Sequence, residues 1–361
     1  MTTSAAEPPA RSFRTPGRLA AGLLGVVALA AAACAPPPAA APPELAVFGG
    51  EVMGTTYTVR VAGVALAEPL RQRMEEAVAT ALSQVDDRMT TYRDSDVTRF
   101  NAWASTEPFA VSPATAEVAA LAQTLAALSG GALDVTVAPL VDAFGFGPAA
   151  PTAIPDAAVL AALRPRVGYR LLTVDAGDRL RKGHPELTID LSALAKGYGV
   201  DRAALALEAL GVTSYMIEVG GEVRARGRNE RGSVWRIGIE RPDAAHGTVQ
   251  RIVPLADMAM ATSGDYRRYR EIAGRRISHI IDPRRAEPID HRVASATVLH
   301  ESCAAADGLA TAMMVLGEDG LPLAERNGWA VLLLVRSTTG FVEKASSPFN
   351  ALVESMERPA P

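Results

Sequence analysis

An acid and a hydroxyl interrupt an otherwise apolar helical stretch, Glu301 to Gly317. Ser302 is a typical N-cap residue, and the alanines, leucine, methionines and valine that follow it predict a helix. In such a helix Asp307 and Thr311 lie four residues apart and therefore share one face. A carboxylate there is costly to bury unless a partner compensates its charge. Asp307 therefore needs a partner, either from the chain or from a bound ion.

Two interpretations of Asp307 are open. A magnesium ion is one partner that fits, because Mg²⁺ takes carboxylate, hydroxyl and carbonyl oxygens at near-octahedral geometry and leaves positions for substrate phosphates. In that case Thr311 would supply the hydroxyl. Alternatively, the helix begins at Asp307, whose side chain then only caps it or forms a buried hydrogen bond.

Composition places the chain among globular proteins and excludes a nucleic-acid binder. At 361 residues, 48% hydrophobic and 21% charged, the chain is long enough for one large core or two lobes. Removal of residues 1–33 takes away three arginines and one glutamate and leaves 33 basic against 39 acidic residues, so a nucleic acid would meet no basic excess. The two cysteines, Cys34 and Cys303, lie in such different contexts that no disulfide framework is expected, and Cys303 is best explained as a small buried residue.

The N-terminus has the layout of an export signal. Three arginines precede the 15-residue apolar run Leu19–Ala33, which is too short for a comfortable membrane span. The run ends in Ala31-Ala32-Ala33-Cys34, which resembles a lipobox, the bacterial signal for lipidation of the cysteine. A plain signal peptide with a soluble product is the alternative. The predicted segments are a lipoprotein signal peptide at 1–33, lipidated Cys34 with a Pro/Ala linker at 34–44, and one domain at 45–361.

Strand-like and helix-like segments alternate along the domain. Residues Glu51–Ala62 have the alternation and β-branched content of a strand. Leu66–Arg88 and Ala114–Leu128 have the periodicity or composition of helices. Further on, Asp134 and Asp142 are predicted to lie on either side of a short apolar strand.

The segment Leu187–Val212 runs from a predicted strand into a predicted helix. A helix N-terminus is a natural anion site, because its free N–H groups and the positive end of its dipole face the ligand, and Lys196 adds a point charge for phosphate. Gly197 and Gly199 each destabilise the helix by about 1 kcal/mol relative to alanine, so a ligand that approaches the backbone closely would explain them. Alternatively, both glycines allow another element to pack tightly.

A polar cluster, Met260–Pro283, contains a predicted loop and a predicted strand. Thr262–Asp265 is crowded with hydrogen-bonding groups, as a loop would be, and Ile277–Ile281 has the composition of a strand. His279 within that strand is a candidate general base, because a histidine near neutral pKa can take the proton of a hydroxyl nucleophile. A purely structural histidine is the alternative. Val293–His300 is the predicted strand that leads into the apolar helix.

Several familiar sites are absent from the sequence. There is no Walker loop, no His-Glu-x-x-His zinc site, no paired CxxC and no Gly-x-Ser-x-Gly elbow. The strand pair Ser214–Gly227, which turns at Gly220-Gly221, is predicted to be scaffold. What remains is an exported domain with scattered phosphate and magnesium features.

Eight motifs follow one another along Val47–Val335. They are Met53-Gly54-Thr55, TTYRDSDVTRFN, GALDVTVAPLVDAFGFGP, IDLSALAKGYGVD, EVGGEVRARG, TSGDYRRY, SHIIDP and AADGLATAMMVLG. In this order and combination they resemble the ApbE family, whose members are FAD:protein FMN transferases. The fold that this resemblance implies is α+β, with a mixed, largely antiparallel sheet flanked by helices and FAD in a cleft between lobes.

The resemblance also implies roles for particular residues. The FAD site would be lined by Met53, Tyr92, Ala132, Leu133, Asp134, Asp190, Lys196 and Ile281. Mg²⁺ would be held by the main-chain oxygen of Ala193 together with Asp307 and Thr311, which favours the metal interpretation of that pair. Two departures from the family stand out: Ala310 occupies a position where some relatives carry another acid, and the turn Pro283–Glu287 lacks the Thr-Gly often found after Ile-Asp-Pro.

The implied reaction is phosphoryl transfer. A Thr or Ser hydroxyl of a partner protein attacks the riboflavin-side phosphorus of FAD, AMP leaves, and FMN stays attached as a phosphoester; His279 is the predicted base. Acceptors would be membrane redox-complex subunits exposed outside the cytoplasm, and the protein would be lipid-anchored to the bacterial inner membrane facing the periplasm. Two rival functions stay open: a magnesium-dependent FAD diphosphatase that yields FMN and AMP, and a flavin-binding lipoprotein without catalysis.

Overall fold

The described part of the chain is one compact unit within Pro42–Pro361. The computed structural model describes residues 45–63, 68–147, 154–243, 247–266, 269–272 and 275–358. Within these ranges, no helix has both the length and the apolar character that a membrane span needs. The predicted signal peptide, Cys34 and the linker to residue 44 lie outside the described residues and stay predictions.

Most of the longer strands belong to one antiparallel sheet. The strands are β1 Leu45–Val52, β2 Thr55–Ala62, β3 Phe109–Ala110, β4 Leu172–Asp175, β5 Arg179–Lys182, β6 Tyr215–Val219, β7 Glu222–Arg226, β8 Trp235–Glu240, β9 Val249–Leu255, β10 Met258–Gly264, β11 Tyr269–Ile272, β12 Arg275–Ser278, β13 Ile281–Asp282, β14 Glu287–Pro288, β15 Val293–His300, β16 Ala330–Ser337 and β17 Gly340–Ala345. The large sheet has the order β1-β2-β6-β7-β10-β15-β16-β17, and all its neighbouring strands pair antiparallel. Smaller sheets are β3-β5-β4, β8-β9, β11-β12 and β13-β14.

Helices lie against both faces of this sheet. They are α1 Glu68–Met89, α2 Asp96–Ala102, α3 Pro113–Leu128, α4 Ala138–Ala143, α5 Ala157–Leu163, α6 Ser192–Ala209, α7 Cys303–Leu316, α8 Leu321–Asn327 and α9 Ser347–Glu357. Ala261 and Val331 join the core that contains α7, whereas their neighbours Met260 and Leu332 pack with Phe349 of α9. Along each strand the side chains alternate between two faces, and helices cover both. An antiparallel sheet flanked by helices belongs to the predicted α+β class, which is confirmed. Because the described residues form one unit, the cleft predicted between lobes is a cavity within that unit.

The predicted apolar helix is α7, and it is buried along almost its whole length. Ser302 is its N-cap, and the Ser302 side chain accepts a hydrogen bond from the Ala305 N–H. The alternative start at Asp307 is therefore wrong. The strand predicted before it, Val293–His300, is β15. The Asp307 carboxyl is therefore buried, and its charge needs a partner, as its place in an apolar helix predicts.

The predicted single strand Glu51–Ala62 is wrong at its start. Val52 pairs with Thr55, so that β1 ends and β2 begins across the two-residue turn Met53-Gly54. Both turn residues have positive φ, 51° and 70°, which is the conformation of a type I′ hairpin turn.

Other local predictions fail for short segments. Between Asp134 and Asp142 the chain forms the start of α4 instead of a strand. The predicted loop Thr262–Asp265 is mostly the end of β10, and the predicted strand Ile277–Ile281 is broken, so that His279 lies between β12 and β13. Apolar or polar runs of four to eight residues do not by themselves distinguish these states.

Candidate active site

One cavity of about 1190 Å³ brings together the residues that the sequence singled out. Its volume exceeds the roughly 300–1,000 Å³ of most small-molecule pockets, which leaves room for a dinucleotide. Every described candidate lines it: Met53, Tyr92, Ala132, Leu133, Asp134, Asp190, Ala193, Lys196, His279, Ile281, Asp307 and Thr311. Their individual roles stay predictions, but the fold places them around one space.

Helices α6 and α7 cross in direct backbone contact at Gly197. A Cβ atom there would lie 2.3 Å from the Cys303 carbonyl oxygen. The contact lets the Gly197 N–H donate a hydrogen bond to Asp307 Oδ2 at 3.1 Å. At Gly199 a Cβ would instead meet side-chain atoms, the nearest being Met53 Cε at 3.0 Å. The structure therefore supports the tight-packing interpretation of both glycines.

The first turn of α7 is capped by a carboxylate from α6. Asp201 accepts hydrogen bonds from Ser302 Oγ (2.9 Å), the Cys303 N–H (3.0 Å) and the Ala304 N–H (3.1 Å). Arg224 Nη1 donates to the same carboxylate at 2.6 Å. These bonds satisfy amides that have no partner within α7. They also fix α7, and with it the predicted metal ligands, relative to α6.

A lysine and two carboxylates form a buried cluster at this crossing. Lys196 Nζ lies 3.4 Å from Glu222 Oε2 and 3.6 Å from Asp307 Oδ2. The Glu222 and Asp307 side chains are only 4% and 3% exposed. Glu222 Oε2 has no hydrogen-bond partner among the described residues. With all three groups ionised, one ammonium serves two buried carboxylates, which leaves one uncompensated negative charge.

Electrostatics make this cluster a fit for a cation. Burial raises the pKa of Asp307 and that of Glu222, and the attraction of Lys196 offsets only part of the increase. Burial acts to lower the pKa of Lys196, but Asp307 and Glu222 raise it overall, so the lysine stays charged. A buried, uncompensated carboxylate is costly. A divalent cation beside Asp307 would remove that cost.

The oxygens near Asp307 suit magnesium better than a softer metal. Thr311 Oγ1 lies 3.2 Å from Ser263 Oγ, so that two hydroxyls from α7 and β10 meet at the cavity wall. Ala193, in the first turn of α6, also lines the cavity. Nowhere in the described ranges do three His, Cys, Asp or Glu side chains group as a metal site. Carboxylate, hydroxyl and carbonyl oxygens are the donors of Mg²⁺, whereas zinc prefers sulfur and imidazole.

Asp134 holds two loops of the cavity wall together. Its Oδ1 accepts hydrogen bonds from the Thr136 N–H (2.8 Å) and Thr136 Oγ1 (2.6 Å), and its Oδ2 accepts from the Tyr169 N–H at 2.7 Å. Thr136 Oγ1 in turn accepts from the Gly168 N–H at 2.7 Å. Burial raises the pKa of Asp134, although these donors lower it. The carboxylate therefore shapes the wall through protein donors.

Asp190 is positioned by the loop that precedes α6. Residues Leu187–Ile189 form this loop and are not the predicted strand. Asn101 clamps it, because Asn101 Nδ2 donates to the Ile189 carbonyl at 2.9 Å and Asn101 Oδ1 accepts from the Ile189 N–H at 2.8 Å. Asp190 Oδ1 accepts from the Ser192 N–H at 2.8 Å. The carboxylate thus sits at the N-terminus of α6, as expected for an acid near a positive dipole end.

Two cavity residues have unusual settings. Met53 adopts a positive φ of 51° at the β1–β2 turn, a conformation that is uncommon outside glycine and costs on the order of 1 kcal/mol or more. Tyr92 is 83% exposed although it is aromatic. A strained residue and an exposed aromatic ring beside one cavity are typical of a binding site.

The wall around His279 is built from short strands. The His279 ring lies edge-on to the Phe146 ring, with centroids 6.2 Å apart. Ile281 is buried and pairs with Pro288 across β13 and β14. His279 therefore reaches the cavity from a packed wall, on a segment that connects two strands.

Sequence reasoning missed Glu222. The strand pair Ser214–Gly227 is confirmed as β6 and β7, but it is more than scaffold, since Glu222 belongs to the buried charge cluster. An acid directly after the Gly220-Gly221 turn was the available signal. Its partner Lys196 is distant in sequence, so only the fold could pair them.

Comparison with known proteins identifies the family. The model of the ApbE family matches residues 53–333. The chain belongs to the ApbE family. It is 47% identical to the FAD:protein FMN transferase of Vibrio cholerae over 312 residues, 85% of this chain and 92% of that relative. It is 42% identical to the FAD:protein FMN transferase of Haemophilus influenzae over 316 residues, 85% of this chain and 91% of that relative.

Solved ApbE structures share the fold. The flavin transferase ApbE from Vibrio cholerae matches with a TM-score of 0.78 at 46% identity, over 86% of this chain and 99% of that chain. The apo form of the Pseudomonas stutzeri flavinyl transferase ApbE also gives a TM-score of 0.78, at 42% identity over 86% and 97% of the two chains.

Both departures from the ApbE pattern have a structural setting. Ala310 is fully buried in the largest core cluster, and the carboxylates of Glu222 and Asp307 both lie close to Lys196 Nζ. In the turn after Ile-Asp-Pro, Arg284 Nε and Nη2 bind the two Asp282 carboxylate oxygens at 2.9 and 2.8 Å. This ion pair fixes the turn without the usual Thr-Gly.

Proposed function

We propose that this protein transfers FMN from FAD to a Thr or Ser hydroxyl of an acceptor protein and releases AMP. The observation that carries the proposal is the buried cluster of Lys196, Glu222 and Asp307, which opens onto a cavity large enough for a dinucleotide. Such a cluster favours a bound cation, and a cation neutralises a diphosphate. Membership of the ApbE family supports the same reaction, since its curated relatives are named FAD:protein FMN transferases.

The proposed magnesium ligands are the side chains of Asp307 and Thr311 and the main-chain oxygen of Ala193. When bound, Mg²⁺ neutralises charge on the diphosphate and on the leaving AMP. The chain itself contributes positioning. The Gly197 N–H orients the Asp307 carboxylate, and Lys196, 29% exposed, places a fixed positive charge at the edge of the cavity.

His279 is the proposed base. In the reaction the acceptor oxygen bonds to the riboflavin-side phosphorus, the bond from that phosphorus to the bridging oxygen breaks, and AMP carries the bridging oxygen away. The hydroxyl proton passes to the His279 imidazole, which lines the cavity. We expect His279→Ala to lower turnover by about 10²–10⁴-fold and to affect FAD affinity much less. Unchanged turnover would refute the assignment.

The remaining cavity residues are the proposed FAD contacts. They are Met53, Tyr92, Ala132, Leu133, Asp134, Asp190 and Ile281, all of which line the cavity. Asp134 and Asp190 already accept hydrogen bonds from the chain. We therefore assign these two carboxylates chiefly to the shape and polarity of the wall.

We further propose that the protein works outside the cytoplasm, held to the inner membrane by lipid on Cys34. The support is the sequence alone: an arginine-flanked apolar run, a lipobox-like end and a Pro/Ala linker. Each buried methylene of an acyl chain contributes about 0.8 kcal/mol, so several chains give stable anchoring. Acceptors would then be redox-complex subunits exposed on the same side. A Cys34→Ser variant should leave the membrane fraction, whereas continued sedimentation with membranes would contradict the anchor.

One incubation tests the reaction. The purified protein is mixed with FAD, Mg²⁺ and a candidate acceptor, and covalent flavin is read by fluorescence of the denatured acceptor while AMP is quantified. Flavin-labelled acceptor with equimolar AMP, abolished by EDTA, is the expected result. Free FMN with AMP would indicate an FAD diphosphatase, and unchanged FAD would indicate a flavin-binding protein.

A further inference from the structure

The hydroxyl of Thr311 bonds to strand β10 and not to its own helix. A threonine inside a helix commonly donates to the carbonyl four residues earlier, as Thr124 Oγ1 does to the Ala120 carbonyl at 3.0 Å in α3. Thr311 makes no such bond within the described ranges, and its Oγ1 lies 3.2 Å from Ser263 Oγ instead. Ser263 is therefore the group that orients this proposed metal ligand.

Strand β10 directs Ser263 toward α7. Side chains alternate along a strand, so Ser263 shares a face with Ala261, which packs in the core that contains α7. The neighbouring Thr262 points to the opposite face, where its hydroxyl bonds to Thr297 Oγ1 at 2.9 Å. Ser263 and Thr311 both line the cavity. The strand therefore holds a hydroxyl between a proposed metal ligand and the space for the substrate.

The bond between Thr311 and Ser263 has no fixed direction by itself, because either hydroxyl can be the donor. A hydroxyl has one proton to donate and lone pairs with which to accept. When Thr311 holds Mg²⁺, a lone pair of its oxygen faces the cation, so its proton needs an acceptor elsewhere. Within the described part of the chain, Ser263 Oγ is the acceptor in reach. A bound cation therefore makes Thr311 the donor and Ser263 the acceptor.

The proton of Ser263 is then available to the cavity. Among the residues that the structure describes, none other than Thr311 bonds to Ser263 Oγ, and Ser263 lines the cavity. The acceptor for its proton must therefore come from a ligand or from solvent. A diphosphate oxygen is the strongest acceptor that FAD offers, since hydrogen bonds to ionised oxygens are about twice as strong as neutral ones. Hydroxyls in a chain also polarise one another, so a cation on Thr311 strengthens the Ser263 donor.

We propose that Ser263 couples the metal site to the substrate: it accepts a hydrogen bond from Thr311 and donates one to the diphosphate of FAD, in a direction that Mg²⁺ fixes. This inference rests on the proposed function, which supplies both the metal and the dinucleotide. Asp307 has a corresponding support, because the Gly197 N–H donates to its Oδ2 at 3.1 Å. Each side chain that would hold Mg²⁺ is thus oriented by a neighbouring element, as is common for metal ligands.

Two substitutions at Ser263 and one beside it form a matched set. Ser263→Ala removes the hydroxyl, whereas Ser263→Thr keeps it and suits a strand. Thr262→Val is the control on the same strand, because it removes the hydroxyl that bonds to Thr297 on the opposite face and keeps the shape of the side chain. Circular dichroism and thermal melts show whether each variant folds. Ser263→Cys, a weak donor of similar size, serves if Ser263→Ala does not fold.

The readouts are two affinities, measured by titration calorimetry in the absence of acceptor. For Mg²⁺ and the FAD-free protein, we expect Ser263→Ala to weaken binding about tenfold, the size of effect expected when a metal ligand loses its outer partner. For FAD in the presence of Mg²⁺, we expect a loss of about tenfold, as one hydrogen bond to a charged group implies. In EDTA the FAD affinity of Ser263→Ala should fall less than about threefold, because no cation then fixes the donor. Ser263→Thr and Thr262→Val should stay within about threefold of the wild type in every titration.

The outcomes separate the coupling from the proposed reaction. Unchanged Mg²⁺ affinity in Ser263→Ala, or an equal loss in Thr262→Val, would overturn the coupling, even with full flavin transfer by the wild type. A loss of FAD affinity of the same size in Mg²⁺ and in EDTA would also overturn it, because Ser263 would then bind FAD independently of the metal. A wild type whose two affinities depend on Ser263 as expected, but which transfers no flavin to an acceptor, would support the coupling and overturn the proposed reaction.

Discussion

Gly197→Ala tests whether the close crossing of α6 and α7 builds the site. The added Cβ would lie 2.3 Å from the Cys303 carbonyl oxygen, 2.6 Å from the Cys303 carbonyl carbon and 2.8 Å from Ala304 Cα. Ordinary carbon contacts are about 3.5–4.0 Å. Because all three atoms are backbone, no side-chain rotation relieves the overlap, and the helices must separate by roughly 1 Å. The hydrogen bond from Gly197 to Asp307 would lengthen with them.

Gly199→Ala is the matched control in the same helix. Its Cβ would meet only the ends of flexible side chains, Met53 Cε at 3.0 Å and Leu82 Cδ2 at 3.2 Å. Both variants gain about 1 kcal/mol of helix propensity, so this gain cancels in the comparison. Overpacking against backbone costs about 1–3 kcal/mol or more. We expect Gly197→Ala to have a free energy of unfolding about 2 kcal/mol below that of Gly199→Ala.

Two assays check this prediction. Urea unfolding followed by tryptophan fluorescence gives the stability difference, and the flavin-labelling assay gives the rate. A shift of about 1 Å in the elements that carry catalytic groups can cost about 100-fold in rate, so Gly197→Ala should also label acceptor about 100-fold more slowly. If Gly197→Ala is as stable and as active as Gly199→Ala, the helix crossing does not determine the site.

Three further predictions concern buried charges. Burial lowers the pKa of Lys182 from 10.5 to about 8, so the unfolded chain binds this proton more tightly than the folded chain does. The free energy of unfolding should therefore increase by about 3 kcal/mol as the pH rises from 8 to 10.5. Lys182→Met should remove this increase from urea midpoints measured across that range, and an unchanged dependence on pH would contradict the shift. Asp201→Ala leaves Arg224 and the α7 amides without their carboxylate, and we expect urea titration to show a loss of about 2–4 kcal/mol, with a loss below 0.5 kcal/mol refuting the cap. Lys196→Met should destabilise the metal-free protein by about 3–5 kcal/mol because buried carboxylates lose their cation, and adding Glu222→Gln should restore part of that stability in the double variant; no recovery would show that the two groups are not coupled.

The sequence predicts long elements with clear ends better than short ones. α7 was predictable because Ser302 caps it and its apolar run is long enough to exclude a strand. α4 has six residues, its N-cap residue Val137 makes no side-chain hydrogen bond, and its apolar run fits either state. The end of β10 is polar, but Thr262 Oγ1 pairs with Thr297 Oγ1 at 2.9 Å on the neighbouring strand. Tertiary pairing there overrides the loop-like composition.

The candidate site, too, could be predicted only in part from the sequence. Asp307 could be singled out because an acid in an apolar helix requires a partner, and the family resemblance grouped it with Lys196 around FAD and magnesium. Glu222 was missed: an acid directly after the Gly220-Gly221 turn was visible in the sequence, but only the fold pairs it with Lys196.

The bond between Asp201 and the start of α7 has a consequence for turnover. Asp201 on α6 accepts hydrogen bonds from the first amides of α7 and so ties the two helices together. We therefore expect the cavity wall that carries Lys196 and Asp307 not to spread when FAD enters or AMP leaves. We expect exchange to take place instead at the side of the cavity that is lined by Tyr92, which is 83% exposed and lies on a loop. A gate at that loop would control the rate at which FAD and AMP exchange, while the cluster of Lys196, Glu222 and Asp307 keeps its geometry.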